Sequence, residues 1–251
     1  MSKIIKDRGI VLKKKRFRET SKLVTIFSEN SGKLNLIAKG VRSLKSKASA
    51  VLEPVNLTEF VYYYKHTRDL QYISSAEFVN DYSRIKSDYD KLKYAFAVLD
   101  IVNLFSKEGE PNQVLFDMTK DFLDALNDKN LIESALFDYF LIKTSKISGY
   151  PVVSFNCPIC NNELNLISYE FVFTKDSGVI CHKCLWNKNN LIDLNEAEKK
   201  VFVDLTLDNL EIFIDRNLQI LTKKILYSLI EFLKYHVEEF GRLKSIQMIE
   251  T

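Results

Sequence analysis

Glycine and proline are scarce in this chain of 251 residues, at seven and four; tryptophan occurs once, histidine three times and cysteine four times. So little glycine and proline excludes a collagen-like or low-complexity chain. No uncharged apolar run approaches the length that crosses a bilayer, which excludes a membrane-spanning helix. The opening MSKIIKDRGIVLKKKRFRE is basic but has no apolar core, so it does not read as a secretory signal. The expected location is cytoplasmic and nucleoid-associated. Catalytic signatures are missing too: there is no Gly-rich phosphate loop, nucleophile elbow, kinase set or H-E-x-x-H. The expectation is a protein that is not an enzyme. His66 and His236 read as ordinary surface or helix-face residues.

With 46% hydrophobic and 27% charged residues, the chain can bury a sizeable core, and its length suits two or three domains. The net charge of +3 conceals an asymmetry. Residues 1–70 carry 16 Lys and Arg against 6 Asp and Glu, whereas the remaining 181 carry 20 against 27. A surface for a polyanion is therefore expected at the N-terminus.

Residues 1–80 read as about five short strands rich in Val, Ile, Thr, Tyr and Phe, with a hairpin turn at Ser31-Gly32. Five strands in that length suit a small barrel of the OB-fold kind. KGVRSLKSKASAVL has no clear period and reads as an exposed basic loop. From about residue 81 the spacing becomes helical, with apolar residues at 92, 95, 96, 99, 102 and 105. PNQVLFDMTKDFLDALND opens with proline at a helix start, and LIESALFDYFLIKTSKISG ends in glycine. A last long helix carries Leu218, Leu221, Ile225, Leu229, Phe232 and His236 on one stripe. The expected class is α+β multidomain. A five-stranded OB-fold-like β-barrel domain (1–80) precedes an α-helical domain (81–251) that holds a four-cysteine, zinc-ribbon-like insert (155–186).

All four cysteines lie in that insert as C-x2-C-x20-C-x2-C: Cys157, Cys160, Cys181 and Cys184. Each pair offers two thiolates on a tight turn, which is what tetrahedral zinc requires. The intervening segment reads as two strands around Asp176-Ser177-Gly178. One structural Zn2+ per chain is expected. Four thiolates close the site, so His182 is a spare neighbour and no position is left for catalysis.

The candidate DNA-binding residues are Lys13, Lys14, Lys15, Arg16 and Arg18 at the end of the first strand. They continue as Lys22, Lys33, Lys39, Arg42, Lys45 and Lys47 on the next two strands and the loop. Phe17, Phe27, Tyr62, Tyr63 and Tyr64 are interleaved. Cations track phosphates and aromatic faces stack bases, although alternation sends at least one of the three tyrosines to the core. Carboxylates are scarce there, so a two-metal nuclease lacks its ligands.

Three stretches together resemble the RecO family of DNA repair proteins. They are GIVLKKKRFRETSKLVTIFSENSGKLNLIAKGVRSLKS, FDYFLIKTSKISGYPVVSFNCPIC and YHVEEFGRLKS. One departure is YPVVSFNC, where apolar residues lead into the first Cys pair. The resemblance implies an OB-fold, a helical domain and a zinc segment. It also implies a recombination mediator that binds single- and double-stranded DNA, anneals complementary strands and pairs with RecR. Such a protein helps load RecA onto DNA coated by single-stranded-DNA-binding protein. Basic residues bordering the last helix, Lys223, Lys224, Lys234, Arg242 and Lys244, could then rim a pocket for that coating protein's acidic tail. The alternative is a zinc-ribbon interaction protein of the transcription or translation machinery, in which the ribbon would touch nucleic acid. Between Cys157 and Cys184, Lys175 and Lys183 stand against Glu163, Glu170 and Asp176, an unfavourable balance for phosphate binding.

Overall fold

A computed structural model describes residues 3–41, 48–68, 70–128, 131–185, 188–208, 213–215 and 218–250. The chain divides into two compact units, Met1–Asp128 and Lys129–Thr251.

The first unit opens with β1 (Lys3–Phe17), β2 (Ser21–Ser28), β3 (Gly32–Ala38), β4 (Leu57–Tyr64) and β5 (Gln71–Asn80). They close a barrel in the order β1-β2-β3-β5-β4. All pairings are antiparallel except β3 with β5. Alternation fills the interior: Val11, Val24, Ile26, Leu36, Ala38, Phe60 and Tyr62 form its core. A bulge between Val11 and Lys13 shifts the register of β1 against β2. The segment expected to be an exposed loop is only partly so. It contains α1 (Ala48–Val51), and Leu52 just beyond is fully buried in the barrel core. One turn of helix is too short to show a period.

Three helices complete this unit: α2 (Ser83–Ser87), α3 (Tyr89–Phe105) and α4 (Gln113–Asp128). Asp88 caps α3 by accepting from the amides of Asp90 and Lys91. The α3–α4 loop is stitched to β3, since Lys33 N donates to Lys107 O (3.2 Å) and Gly109 N to Lys33 O (3.1 Å). Gly32 is at φ +68, and a Cβ there would strike the backbone of Glu110. Phe27 meets Phe116 of α4, ring centroids 5.9 Å apart. Strand gives way to helix where expected, near residue 80, yet these contacts join α2–α4 to the barrel in one compact unit.

The second unit contains α5 (Glu133–Ile147), α6 (Glu196–Thr206), α7 (Gln219–His236) and α8 (Lys244–Glu250). After α5 the chain turns through Gly149, at φ +87. A three-stranded sheet of β6 (Phe171–Thr174), β7 (Gly178–Cys181) and β8 (Leu191–Ile192) follows in the order β7-β6-β8. Phe171 and Phe173 reach Phe202 of α6 at 6.1 and 5.8 Å, and Phe173 reaches Phe232 of α7 at 6.4 Å. No described helix is long and apolar enough to cross a membrane.

Within α5, Asp138 is fully buried, and neither carboxylate oxygen has a hydrogen-bond partner among the described residues. Burial holds its carboxyl well above the ordinary carboxylate range. The folded state therefore keeps a proton that the unfolded chain gives up near pH 4. Stability is greatest below that pH and is lost as pH rises towards the folded value. Asp138→Asn should remove this loss and stabilise the protein at pH 7 by about 1–3 kcal/mol. Denaturant melts of both proteins from pH 4 to pH 8 check it: the two curves should separate as pH rises, and parallel curves would count against an uncompensated carboxyl.

Candidate functional site

The four cysteines converge although 20 residues separate the two pairs. The β6–β7 hairpin makes this possible, with Phe171 opposite Cys181 and Thr174 opposite Gly178. Its turn is the expected Asp176-Ser177-Gly178. Gly178 is at φ +67, and a Cβ there would collide with the carbonyl of Val152, to which Val179 N donates at 2.9 Å. Cys157 turns tightly, its carbonyl accepting from Asn161 N at 2.9 Å. All four sulfurs then lie within 4.8 Å of one another, and none is in a disulfide.

Cys160 Sγ and Cys181 Sγ are 3.7 Å apart. A zinc ion with about 2.3 Å bonds requires roughly 3.8 Å along each edge of its tetrahedron. The donor set and spacing therefore fit a metal ion. Cys157 and Cys184 are buried, Cys181 is half-buried and Cys160 is exposed. Burial raises the Cys157 thiol, but backbone N–H groups of Cys160, Cys181 and Ile159 more than offset this and bring it to about 6. A hydrogen bond to Cys181, together with burial, pushes the Cys184 thiol the other way, to about 12, so the four sulfurs do not ionise independently. His182 is exposed and stands outside the sulfur cluster.

The cations of the barrel have separated into two kinds of work. Lys22 is only 13% exposed and donates to Ser49 O (3.2 Å), Ser49 Oγ (2.9 Å) and Glu53 Oε1 (3.0 Å). Lys14 pairs with the same Glu53. Burial raises the Glu53 carboxyl, but the two lysines outweigh it and hold the group below its ordinary value. Lys33 donates to Asn103 O at 2.8 Å. Burial lowers its ammonium, Glu108 partly restores it, and Lys13 lowers it further. These three lysines hold the barrel to its neighbours.

The remainder face outward. Lys13, about half-exposed, meets Asp100 at 3.3 Å. Lys15 and Arg16 are exposed and have no ion pair among the described residues. Arg18 lies over the Phe17 ring at 5.4 Å. Lys39 lies over the Tyr72 ring at 4.1 Å, where Arg68 also approaches at 5.4 Å. Arg42, Lys45 and Lys47 fall outside the described residues.

Of the aromatics, Phe27 and Tyr62 are core, while Tyr63 and Tyr64 are exposed. Tyr72 and Arg68 were not among the sequence candidates. The signal for Tyr72 was the alternation of QYIS, which sends Tyr72 out when Ile73 points in. Along the last helix, Lys224 pairs with Glu198 (3.5 Å), Lys234 with Glu231 (3.3 Å) and Glu250 (2.5 Å), and Arg242 with Glu238. Lys223 and Lys244 are exposed and have no ion pair among the described residues.

Two family models match in succession. Recombination protein O N terminal covers residues 1–82, and Recombination protein O C terminal covers residues 86–246. The DNA repair protein RecO of Alkaliphilus metalliredigens is 29% identical over 181 residues, 72% of each chain. That of Syntrophus aciditrophicus is 29% identical over 180 residues, 71% of this chain and 69% of the relative. That of Acetivibrio thermocellus is 29% identical over 196 residues, 78% of this chain and 76% of the relative. Matched in order by both halves of one family, over a barrel, a helical unit and a four-cysteine cluster, the chain belongs to the RecO family and has its role in DNA repair and recombination.

Proposed function

We propose that the protein is a non-enzymatic recombination mediator. Its N-terminal domain, residues 1–80, binds single- and double-stranded DNA and anneals complementary strands. Together with RecR it helps load RecA onto DNA coated by single-stranded-DNA-binding protein. Family membership and the resemblance supply these partners. The observation that carries the DNA-binding part is the pair Lys15 and Arg16, exposed and without ion pairs among the described residues at the end of β1. Lys13 beside them gives up little by leaving Asp100, because a surface ion pair of that kind contributes at most about 1 kcal/mol. Cations at this rim neutralise phosphates on two strands and reduce their repulsion. Base pairing, which the protein does not read, then completes annealing, so sequence preference is low.

The metal is a structural Zn2+ held by Cys157, Cys160, Cys181 and Cys184 within the helical domain, residues 81–251. When bound, it cross-links the two knuckles of the 155–186 segment. Lys223 on α7 and Lys244 at the start of α8 are the cations left to meet an acidic tail of the coating protein, since Lys224, Lys234 and Arg242 already face carboxylates.

Structural zinc contributes on the order of 10 kcal/mol of apparent folding energy in small domains. Metal analysis should find one zinc per wild-type chain, and Cys160→Ser should lose zinc and become poorly soluble. Wild-type protein with far less than one zinc per chain would remove the metal assignment.

DNA affinity should fall with salt through counterion release. Changing Lys15 and Arg16 together to Ala should flatten the log–log slope on single strands by about 1.4, at ~0.7 per phosphate. Affinity should weaken evenly across sequences, and strand annealing should fall with it. Lys22→Ala should instead cost about 1–2 kcal/mol of stability and leave the slope alone. Fluorescence anisotropy over a salt series separates the cases; an unchanged slope in the double variant counts against the DNA-binding rim.

A further inference from the structure

The barrel wall carries a second surface, on β1, β4 and β5. Ile4 pairs with Tyr63, and Tyr63 pairs with Tyr72, so the three side chains lie in one line across β1, β4 and β5. Their sequence neighbours Ile5, Tyr62 and Ile73 pack into the barrel core. The line therefore faces out. It is open: Ile4 is 64% and Tyr63 39% exposed, and Tyr72 is half-buried. Two cations address it, Lys39 and Arg68, both over the Tyr72 ring. Neighbouring strands are about 4.8 Å apart, so the side chains of this line are near neighbours.

We propose that Tyr63 and Tyr72, flanked by Lys39 and Arg68, form a stacking site for the unpaired bases of single-stranded nucleic acid, and that this site makes the barrel distinguish single strands from duplex. The inference rests on the reading that this barrel binds DNA. Charge selects the occupant: the cations lie on the ring itself, so a ligand must bring anions and flat apolar faces together. A single strand brings both. A duplex brings only its phosphates, because its bases are already stacked on each other. Lys39 covers Tyr72 in the free protein. An exposed cation–π contact is weaker than a base stacked on an aromatic ring. On binding, Lys39 moves from the ring to a phosphate and the base takes its place. Such a site also serves annealing, since bases held against a wall are kept out of hairpins within their own strand.

The test uses the full chain and a fluorescent mixed-sequence oligonucleotide, alone and as duplex, over a salt series. Tyr63→Ala with Tyr72→Ala should weaken single-strand binding about tenfold or more at every salt concentration. The salt slope should stay that of wild type, because no phosphate contact is removed. Duplex affinity should not change, and Tyr72→Phe should behave as wild type. Single-strand affinity equal to wild type, or equal losses on single strand and duplex, would overturn the proposal while leaving the salt-dependent binding of wild type intact. Wild type without salt-dependent affinity for any DNA would remove the parent reading and this one with it. Should the alanine variant not fold, wild type can be photocrosslinked to a strand carrying 5-iodouracil. Adducts at Tyr63 or Tyr72 support the site, and adducts only elsewhere overturn it.

Discussion

Everything in the first unit depends on β1 serving two partners. Its first half pairs with β4 and its second half with β2; Gly9 and Ile10 pair with both. The strand must bend to do this, and the bend leaves no room at Gly9, where a Cβ would overlap the Ile26 side chain. The bulge after Val11 adds one residue and re-sets the alternation. Lys13 and Lys15 then point out, while Lys14 takes the parity of the core residue Val24 opposite it. Without the extra residue these faces would exchange.

That bend explains why a run of five basic residues does not act as one patch. Glu53, placed by α1 at the barrel end, takes Lys14 and Lys22. Helix α3 takes Lys33 through Asn103 O and meets Lys13 through Asp100. Half-buried cations cannot be left unpaired, so Lys22 and Lys33 became structural. Charge density in the sequence therefore overstates the number of cations the surface leaves unpaired.

Much of the architecture was legible because it rests on local patterns. Alternation in SKLVTIFS and LTEFVYYY marked the strands, and the spacing of 92, 95, 99 and 102 marked α3. The two C-x-x-C pairs marked the sulfur cluster, because a metal site requires those donors in any fold that brings them together. What stayed hidden depends on pairing between distant segments. Leu52 looked like loop because its hydrophobic partners come from other strands. Lys22 looked like a phosphate ligand because Glu53 is 31 residues away. Tyr72 and Arg68 drew no attention because the line they form exists only once β5 lies beside β4. The helices α2–α4 fall in the same compact unit as the barrel, a grouping made by backbone bonds between the β3 edge and the Lys107–Glu110 turn. No periodicity encodes those bonds.

The metal segment shows the same economy on a smaller scale. Its inner cluster is Cys157, Val172, Ile180 and Cys184, with Leu164, Cys181, Leu185 and Leu191 packed around it. Few of these are large, and half the inner cluster is cysteine, so the area available for hydrophobic stabilisation is small. Phe171 and Phe173 on β6 are spent on the other side, against α6 and α7. A hairpin that gives its aromatics to its helical neighbours keeps too little for its own interior. A metal ion held by the four sulfurs would supply the missing cohesion through four short bonds. The segment is bound to its unit by aromatic packing on one face, and its cysteines gather with Val172 and Ile180 on the other.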